Sequence, residues 1–172
     1  MKLIDNFLDE GTFNNLRDMI VYGNKFPLFC SNVLSENEYV DLLCEDKYNL
    51  QLGHTLYKNY LPNSEAFYLI IPILEKLEVD ALIKAKVNFN PCTEKIIEHG
   101  YHIDYPSECL TAVYYLNTNN GYTKFETGQV IDSVENRIVI FNSSVKHTGS
   151  TCTNTRGRYV LNLNFYSESI TL

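Results

Sequence analysis

Near Ile83 the apolar pattern of the chain changes from helical spacing to strict alternation, and that change limits what the second half can become. Lys84-Ala85-Lys86-Val87-Asn88-Phe89-Asn90 alternates until Pro91 stops it, and a side-chain period of two belongs to a strand with one covered face. Short strands are predicted at 100–105, 110–117, 122–126, 129–132, 136–142 and 157–166. Between them lie the turn-rich pieces Asn119-Asn120-Gly121, Thr127-Gly128 and 149–157. Many short strands joined by turns make a sandwich or jelly roll, not a βαβ sheet. Thirteen Tyr and nine Phe suit half-buried pleated surfaces.

Residues 1–80 read instead as mainly helical, a layer packed over the sheet. Phe7, Phe13, Leu16 and Ile20 are spaced for one face of a first helix. The run 26–31 is strand-like but moved to an edge by Pro27. Ser35 with Glu38 forms a capping box for a second helix ending near Lys47. Asn63 or Ser64 caps a third, with Phe67, Ile70, Ile71, Leu74 and Leu77 inward and a break at Pro72. No linker or repeat divides the 172 residues, so the expectation is a single α+β, mainly β domain: helical support over 1–80 and a jelly-roll core over 83–172.

Charge and cysteine use exclude several functions. A net charge of −7 offers nucleic-acid phosphates no general attraction, and no basic aromatic stripe compensates. No apolar run reaches membrane-spanning length. Met1-Lys2-Leu3-Ile4-Asp5-Asn6 lacks the apolar stretch of a secretion signal. Cys30, Cys44, Cys92, Cys109 and Cys152 are odd in number and scattered. That fits free, mostly buried thiols in a cytoplasmic protein better than a disulfide scaffold or a zinc site.

The chemistry concentrates between Tyr101 and Arg158. On a strand, His102 and Asp104 project from one face, and a later strand or turn can bring His147 to them. Two histidines and one carboxylate on one face of an octahedral metal leave positions open, which suits non-haem Fe(II) and oxygen. Arg158, on the last long strand, offers a permanently charged fork to a carboxylate. Arg156 shares its parity but lies in a turn-rich tract and ranks second. His99 is off parity with His102, and His54 precedes a polar-aromatic stretch, a substrate rim or an ordinary loop.

These residues, in this order, resemble the prolyl-4-hydroxylase-like branch of the Fe(II)/2-oxoglutarate-dependent oxygenases, including its small phage and viral members. The resemblance rests on Tyr101-His102-Ile103-Asp104, Leu110-Thr111-Ala112-Val113-Tyr114-Tyr115-Leu116-Asn117, Asn120-Gly121-Tyr122-Thr123, Asn136-Arg137-Ile138-Val139-Ile140-Phe141, Lys146-His147-Thr148-Gly149 and Arg158-Tyr159-Val160-Leu161-Asn162. It covers the chain from about Lys86 to Tyr166. It implies a double-stranded β-helix with Fe(II) on His102, Asp104 and His147, and 2-oxoglutarate on Arg158. Tyr115, with Thr111 on the same face, would share the co-substrate; Asn162 would add a hydrogen bond; Asn90 stands where relatives often carry a tyrosine.

The implied reaction consumes O2 and 2-oxoglutarate, releases succinate and CO2, and hydroxylates an unactivated C–H bond of a peptidyl, prolyl-type substrate, with ascorbate in support. A small molecule or free amino acid is the competing substrate class, and a non-catalytic cupin-like binding module the competing function. Selectivity is expected from loops at 48–63 and 92–99. The expected protein is a cytoplasmic monomer or weak homo-oligomer, in the host cytoplasm if viral, with no nucleic-acid or membrane partner.

Overall fold

The last strand organises the sheet, because it pairs on both edges. In the computed structural model, which describes residues 1–32 and 50–172, this strand is the fourth of seven in the main path. In chain order the strands are β1 (Lys2–Ile4), β2 (Phe29–Asn32), β3 (Leu50–Lys58), β4 (Leu61–Pro62), β5 (Ala81–Pro91), β6 (Leu110–Tyr115), β7 (Tyr122–Phe125), β8 (Val130–Asp132), β9 (Arg137–Asn142), β10 (His147–Gly149) and β11 (Gly157–Tyr166). The large sheet runs β1-β9-β6-β11-β5-β3-β2 with β4 on β3; the small one runs β10-β7-β8. All pairings are antiparallel.

Alternation divides the large sheet into two faces. One face carries Ala85, Val87, Ala112, Tyr114, Ile138, Ile140, Leu161 and Leu163, packed with Phe7, Phe13, Leu16, Ile20, Ile70 and Ile73. The other faces the small sheet, where Val113, Tyr115, Val139, Phe141 and Val160 meet Phe125 and Ile131. Toward β5 and β3 this second face turns polar and opens into a cavity.

The helical layer is shorter than the sequence suggests. Helix α1 (Glu10–Arg17) is capped by Asp9, whose carboxylate accepts from Thr12 N–H, and passes into a π-helical turn, Asp18–Tyr22. Phe7 is buried beside the helix but precedes it. Ser64 caps a 3₁₀ stretch, Glu65–Ile70, and Pro72 sits in the first turn of α2 (Ile71–Lys76), so the expected break falls where proline lacks the N–H to continue a ladder.

Residues 1–80, read as mainly helical, also supply β1 to β4. The expected loop at 48–63 contains nine-residue β3. Leu50, Leu52 and Leu56 do alternate along it, but Gly53 and His54 interrupt the run, and its other face carries the polar or small Gln51, Gly53 and Thr55. β2 does lie at the sheet edge, just after Pro27. The second predicted helix, at 35–47, lies outside the described residues. Of the described cysteines, Cys109 and Cys152 are buried but Cys30 and Cys92 are exposed, against the expectation of mostly buried thiols; all four are free.

Asn136 fastens the N-terminal segment to this framework. Its side chain accepts from Leu8 N–H at 2.8 Å and from the Tyr114 hydroxyl at 2.7 Å, and donates to Leu8 O at 2.9 Å. Its φ of 59° is a conformation that asparagine tolerates better than most residues.

Candidate metal centre

The predicted strand at 100–105 does not form. Single bridges pair His102 with His147 and Glu98 with Ser150, so the segment leading to His102 lies along β10 as a broken fourth strand of the small sheet. The bridge is reciprocal: His102 N–H donates to His147 O and His147 N–H to His102 O, both at 3.0 Å. Backbone pairing thus sets the two histidines side by side, with ring centroids 4.7 Å apart. Asp104 follows in a bend, not on a strand.

The three side chains converge. Potential ligand atoms of His102, Asp104 and His147 lie within 4.8 Å of one another. Asp104 Oδ1 is 3.5 Å from His102 Nε2 and 3.7 Å from His147 Nε2. Each imidazole is oriented through its other nitrogen: Nδ1 of His102 donates to Gly100 O at 3.2 Å, and Nδ1 of His147 to Val145 O at 3.0 Å. A proton held on Nδ1 leaves the Nε2 lone pairs facing inward, the arrangement in which backbone carbonyls fix the tautomer of a metal-binding histidine. Asp104 Oδ2 is buried with no hydrogen-bond partner. A buried carboxylate oxygen is costly to leave unsatisfied, and a divalent cation among these atoms would satisfy it. The donor set, two nitrogens and a carboxylate, fits Fe(II).

Electrostatics sharpen the cluster. Burial works against charge on His102, but the adjacent Asp104 carboxylate outweighs it and holds that imidazole's pKa above its ordinary value. Burial prevails at His147, which is held below its usual value despite Asp104. At Asp104 burial is outweighed by the two imidazoles, and its carboxyl is depressed.

Arg158 lies across the same cavity, which measures about 340 Å³. It is 4% exposed. Its Nε donates to Ser133 Oγ at 2.7 Å and its Nη2 to Thr123 Oγ1 at 2.8 Å. The guanidinium carbon stands 5.5 Å from the Tyr115 ring centroid. Burial lowers its pKa, opposed by Tyr115, yet a guanidinium stays charged. Among the described residues it makes no ion pair with a carboxylate. Two glycines make room for it: a Cβ at Gly121 would meet its Cδ at 2.9 Å, and one at Gly149 its Nη1 at 3.2 Å.

The remaining candidates divide. Asn162 lines the cavity with Oδ1 buried and unpartnered. Asn90 lines it too, accepting from Gln51 Nε2 and pairing with His99 Nε2, both at 2.9 Å. Tyr115 is fully buried behind Arg158, its hydroxyl on Thr123 Oγ1 at 2.9 Å, so it supports the arginine instead of lining the cavity. Thr111 is not brought to the site: it is buried and accepts from Asn164 Nδ2 at 2.9 Å. Arg156 is exposed, away from the cavity. His54 is buried between Phe26 and Phe29, with Nδ1 on Pro27 O. Lys84, Lys86, Thr123, Ser133 and Gln51 were not anticipated. The signal for the two lysines lay in the β5 alternation itself, which puts both on the face that carries Asn90.

No profile of a known protein family matches the chain, and no curated protein matches it in sequence. Solved structures do match in shape. A prolyl hydroxylase from Trichoplax adhaerens, in complex with a peptide fragment of the hypoxia inducible factor oxygen degradation domain, superposes with a TM-score of 0.61 at 15% identity, over 97% of this chain and 83% of its own. A prolyl-4-hydroxylase from Pseudomonas putida gives 0.60 at 14% identity, over 96% and 92%. The fold is a double-stranded β-helix. A non-haem α-ketoglutarate-dependent epimerase of nogalamycin biosynthesis, SnoN, gives 0.59 at 13% identity, over 98% and 79%. The jelly-roll expectation therefore holds, and the shared shape spans proteins named for different reactions, so the reaction must be argued from the site.

Proposed function

We propose that this chain is an Fe(II)- and 2-oxoglutarate-dependent dioxygenase that hydroxylates an unactivated C–H bond. The observation that carries the reading is a buried Arg158 with no carboxylate partner among the described residues, facing the same cavity as a convergent His102–Asp104–His147 set. A buried charge without a partner costs several kcal/mol, and an incoming carboxylate offsets that cost. Neither a structural cluster nor a cupin-like binding module needs both features.

His102, Asp104 and His147 would hold the metal, which when bound supplies the oxygen activation that couples 2-oxoglutarate decarboxylation to hydroxylation. The chain supplies position. Gly100 and Val145 carbonyls hold the imidazoles with Nε2 inward; Ser133 and Thr123 hold the Arg158 fork for the far carboxylate of the co-substrate. Phe125 and Phe141 pack around His147 and keep water from that side. The proposed substrate is a peptidyl one of the prolyl type. Support comes from the peptide complex of the Trichoplax neighbour and from Tyr101, Ile103 and Tyr105, exposed beside the ligands and suited to an apolar residue.

The test is succinate formation from 2-oxoglutarate by purified protein with Fe(II), O2 and ascorbate, beside the His102→Ala variant. Iron-dependent succinate that disappears in the variant is the expected result. No succinate, together with no binding of Fe(II) or 2-oxoglutarate, would sink the reading in favour of a binding module.

A further inference from the structure

The cavity is basic although the chain is acidic. Its wall presents Lys84, Lys86 and Arg158 against one carboxylate, Asp104, within a chain of net charge −7. The proposed function accounts for Arg158 and leaves the lysines unused. Among the described residues neither lysine has a carboxylate partner.

We infer that Lys84 and Lys86 form a second anion-binding pole, which receives a carboxylate of the primary substrate on the β5–β3 side of the cavity, away from the Arg158 guanidinium. The inference rests on the oxygenase reading only for the role it gives Arg158. Strand register separates the poles. On β5 and β11, Asn90 stands opposite Arg158, Lys86 opposite Asn162 and Lys84 opposite Asn164. At about 3.3 Å per residue, Asn162 and Asn164 lie roughly 13 and 20 Å along the strand from Arg158. The guanidinium is tied to Ser133 and Thr123 on the small-sheet side, whereas Lys86 leans back along β5 and crosses to β3, where its Nζ donates to Gln51 Oε1 at 3.3 Å; Gln51 also donates to Asn90, so Lys86 is parted from Arg158 across the sheet and Lys84 along it. Gly53 allows this, since a Cβ there would fall 2.4 Å from Lys86 Cε. Four C–C bonds separate the carboxyl carbons of 2-oxoglutarate, about 6 Å at most, so a co-substrate seated on Arg158 does not extend to Lys84, six residues further along the paired strands.

The surroundings specify more than charge. Asn88 Oδ1 and Asn162 Oδ1, on the same wall, are buried acceptors without partners. A ligand that seats a carboxylate on the lysines and turns an N–H or O–H toward these amides would satisfy them. Lys84 lines the same cavity as His102 and Asp104, so a group anchored there shares the space in front of the candidate metal ligands. An acylated amino acid, or a peptide residue beside an acidic one, has this chemistry.

Calorimetric titration tests the pole directly, with and without Mn(II) and 2-oxoglutarate. The probes are N-acetyl-L-amino acids, each as free acid and as primary amide, and capped tripeptides carrying Glu or Gln beside a central proline. The wild type should bind an acid member about tenfold or more tighter than its neutral partner; the pair that shows it distinguishes a free acid from an acidic peptide. Lys84→Met with Lys86→Met should bring the ratio near one, with Lys84→Met alone reducing it if the double variant does not fold. Arg158→Gln should leave the ratio intact. A ratio near one for every wild-type pair, or a full ratio in a folded lysine variant, overturns the inference, and so does a ratio lost in Arg158→Gln. Charge preference without any Mn(II) or 2-oxoglutarate binding would instead sink the oxygenase reading and leave the pole standing.

Discussion

Arg158 shows how a single side chain separates stability from function. Its burial without a counter-ion loads the co-substrate-free fold with desolvation cost, while Ser133 and Thr123 recover only part of the lost hydration. Arg158→Met keeps an unbranched stem of similar reach and removes the charge. Its melting temperature without metal or co-substrate should equal or exceed the wild type, by ~2–4 °C for each kcal/mol gained. Its 2-oxoglutarate binding should fall by at least roughly 30-fold, as expected when one partner of a buried charged pair is removed. A large drop in melting temperature with unchanged 2-oxoglutarate affinity would make Arg158 a structural residue. At this scale the sequence was most legible. His102, Asp104, His147 and Arg158 stand out by residue type and order, and they converge although the strand parity expected for His102 and Asp104 does not form; Ser133 and Thr123 are ordinary hydroxyls whose contact with Arg158 appears only once three elements meet.

Elements with a long run of strand-forming residues were legible and interrupted ones were not. β5 and β11 alternate because one face meets the apolar core and the other the polar cavity, while β6 and β9 are buried on both faces. β3, interrupted by Gly53 and His54, reads as a loop, and 100–105 reads as a strand although it pairs only through a single bridge at His102. Side chains add to the few backbone bonds that hold the segment leading to His102. Glu98 accepts from the Tyr122 hydroxyl at 2.7 Å and from Lys124 Nζ at 2.9 Å, across to β7. The Lys124 hydrogen bond, then that of Tyr122, keeps the Glu98 carboxyl below its usual pKa. A depressed folded-state pKa gives stabilisation that is complete above the unfolded value, about 4.3, and is lost as pH falls through the folded one. The pair is partly exposed, so the effect is local and modest. Protection factors of the His99 and Thr151 amides, which bond Gly149 O and Ile97 O, should therefore drop as pH falls below about 4.3 and through the depressed folded-state pKa. In Glu98→Gln that pH dependence should flatten. An unchanged slope in the variant would show that Glu98 does not hold the segment.

In the whole molecule the candidate metal cluster meets the apolar cores at one residue. Both clusters close without His102 or Asp104, so variants at these two should remain folded without metal, whereas buried His147 packs on Phe125 and Phe141 and its loss also costs packing. Metal should nevertheless stabilise the fold, because the site pre-exists in the native state: Nε2 atoms already face inward and Asp104 Oδ2 already lacks a partner. Binding to the native state alone adds RT ln(1 + [L]/Kd), about 2.7 kcal/mol at a hundredfold excess over Kd. For a chain of this size that corresponds to roughly 5–11 °C in melting temperature. Mn(II) should raise the melting temperature by this order, and chelator should return it to the starting value. Asp104→Ala should abolish the metal response; its metal-free melting temperature should fall modestly below that of the wild type, since the variant also loses the Oδ1 that faces both imidazoles. In the wild type 2-oxoglutarate should add a further increment only when metal is present, and in Arg158→Met it should add little. An equal metal response in Asp104→Ala would place the cation elsewhere. A co-substrate increment independent of metal would mean that the two halves of the cavity are not one site.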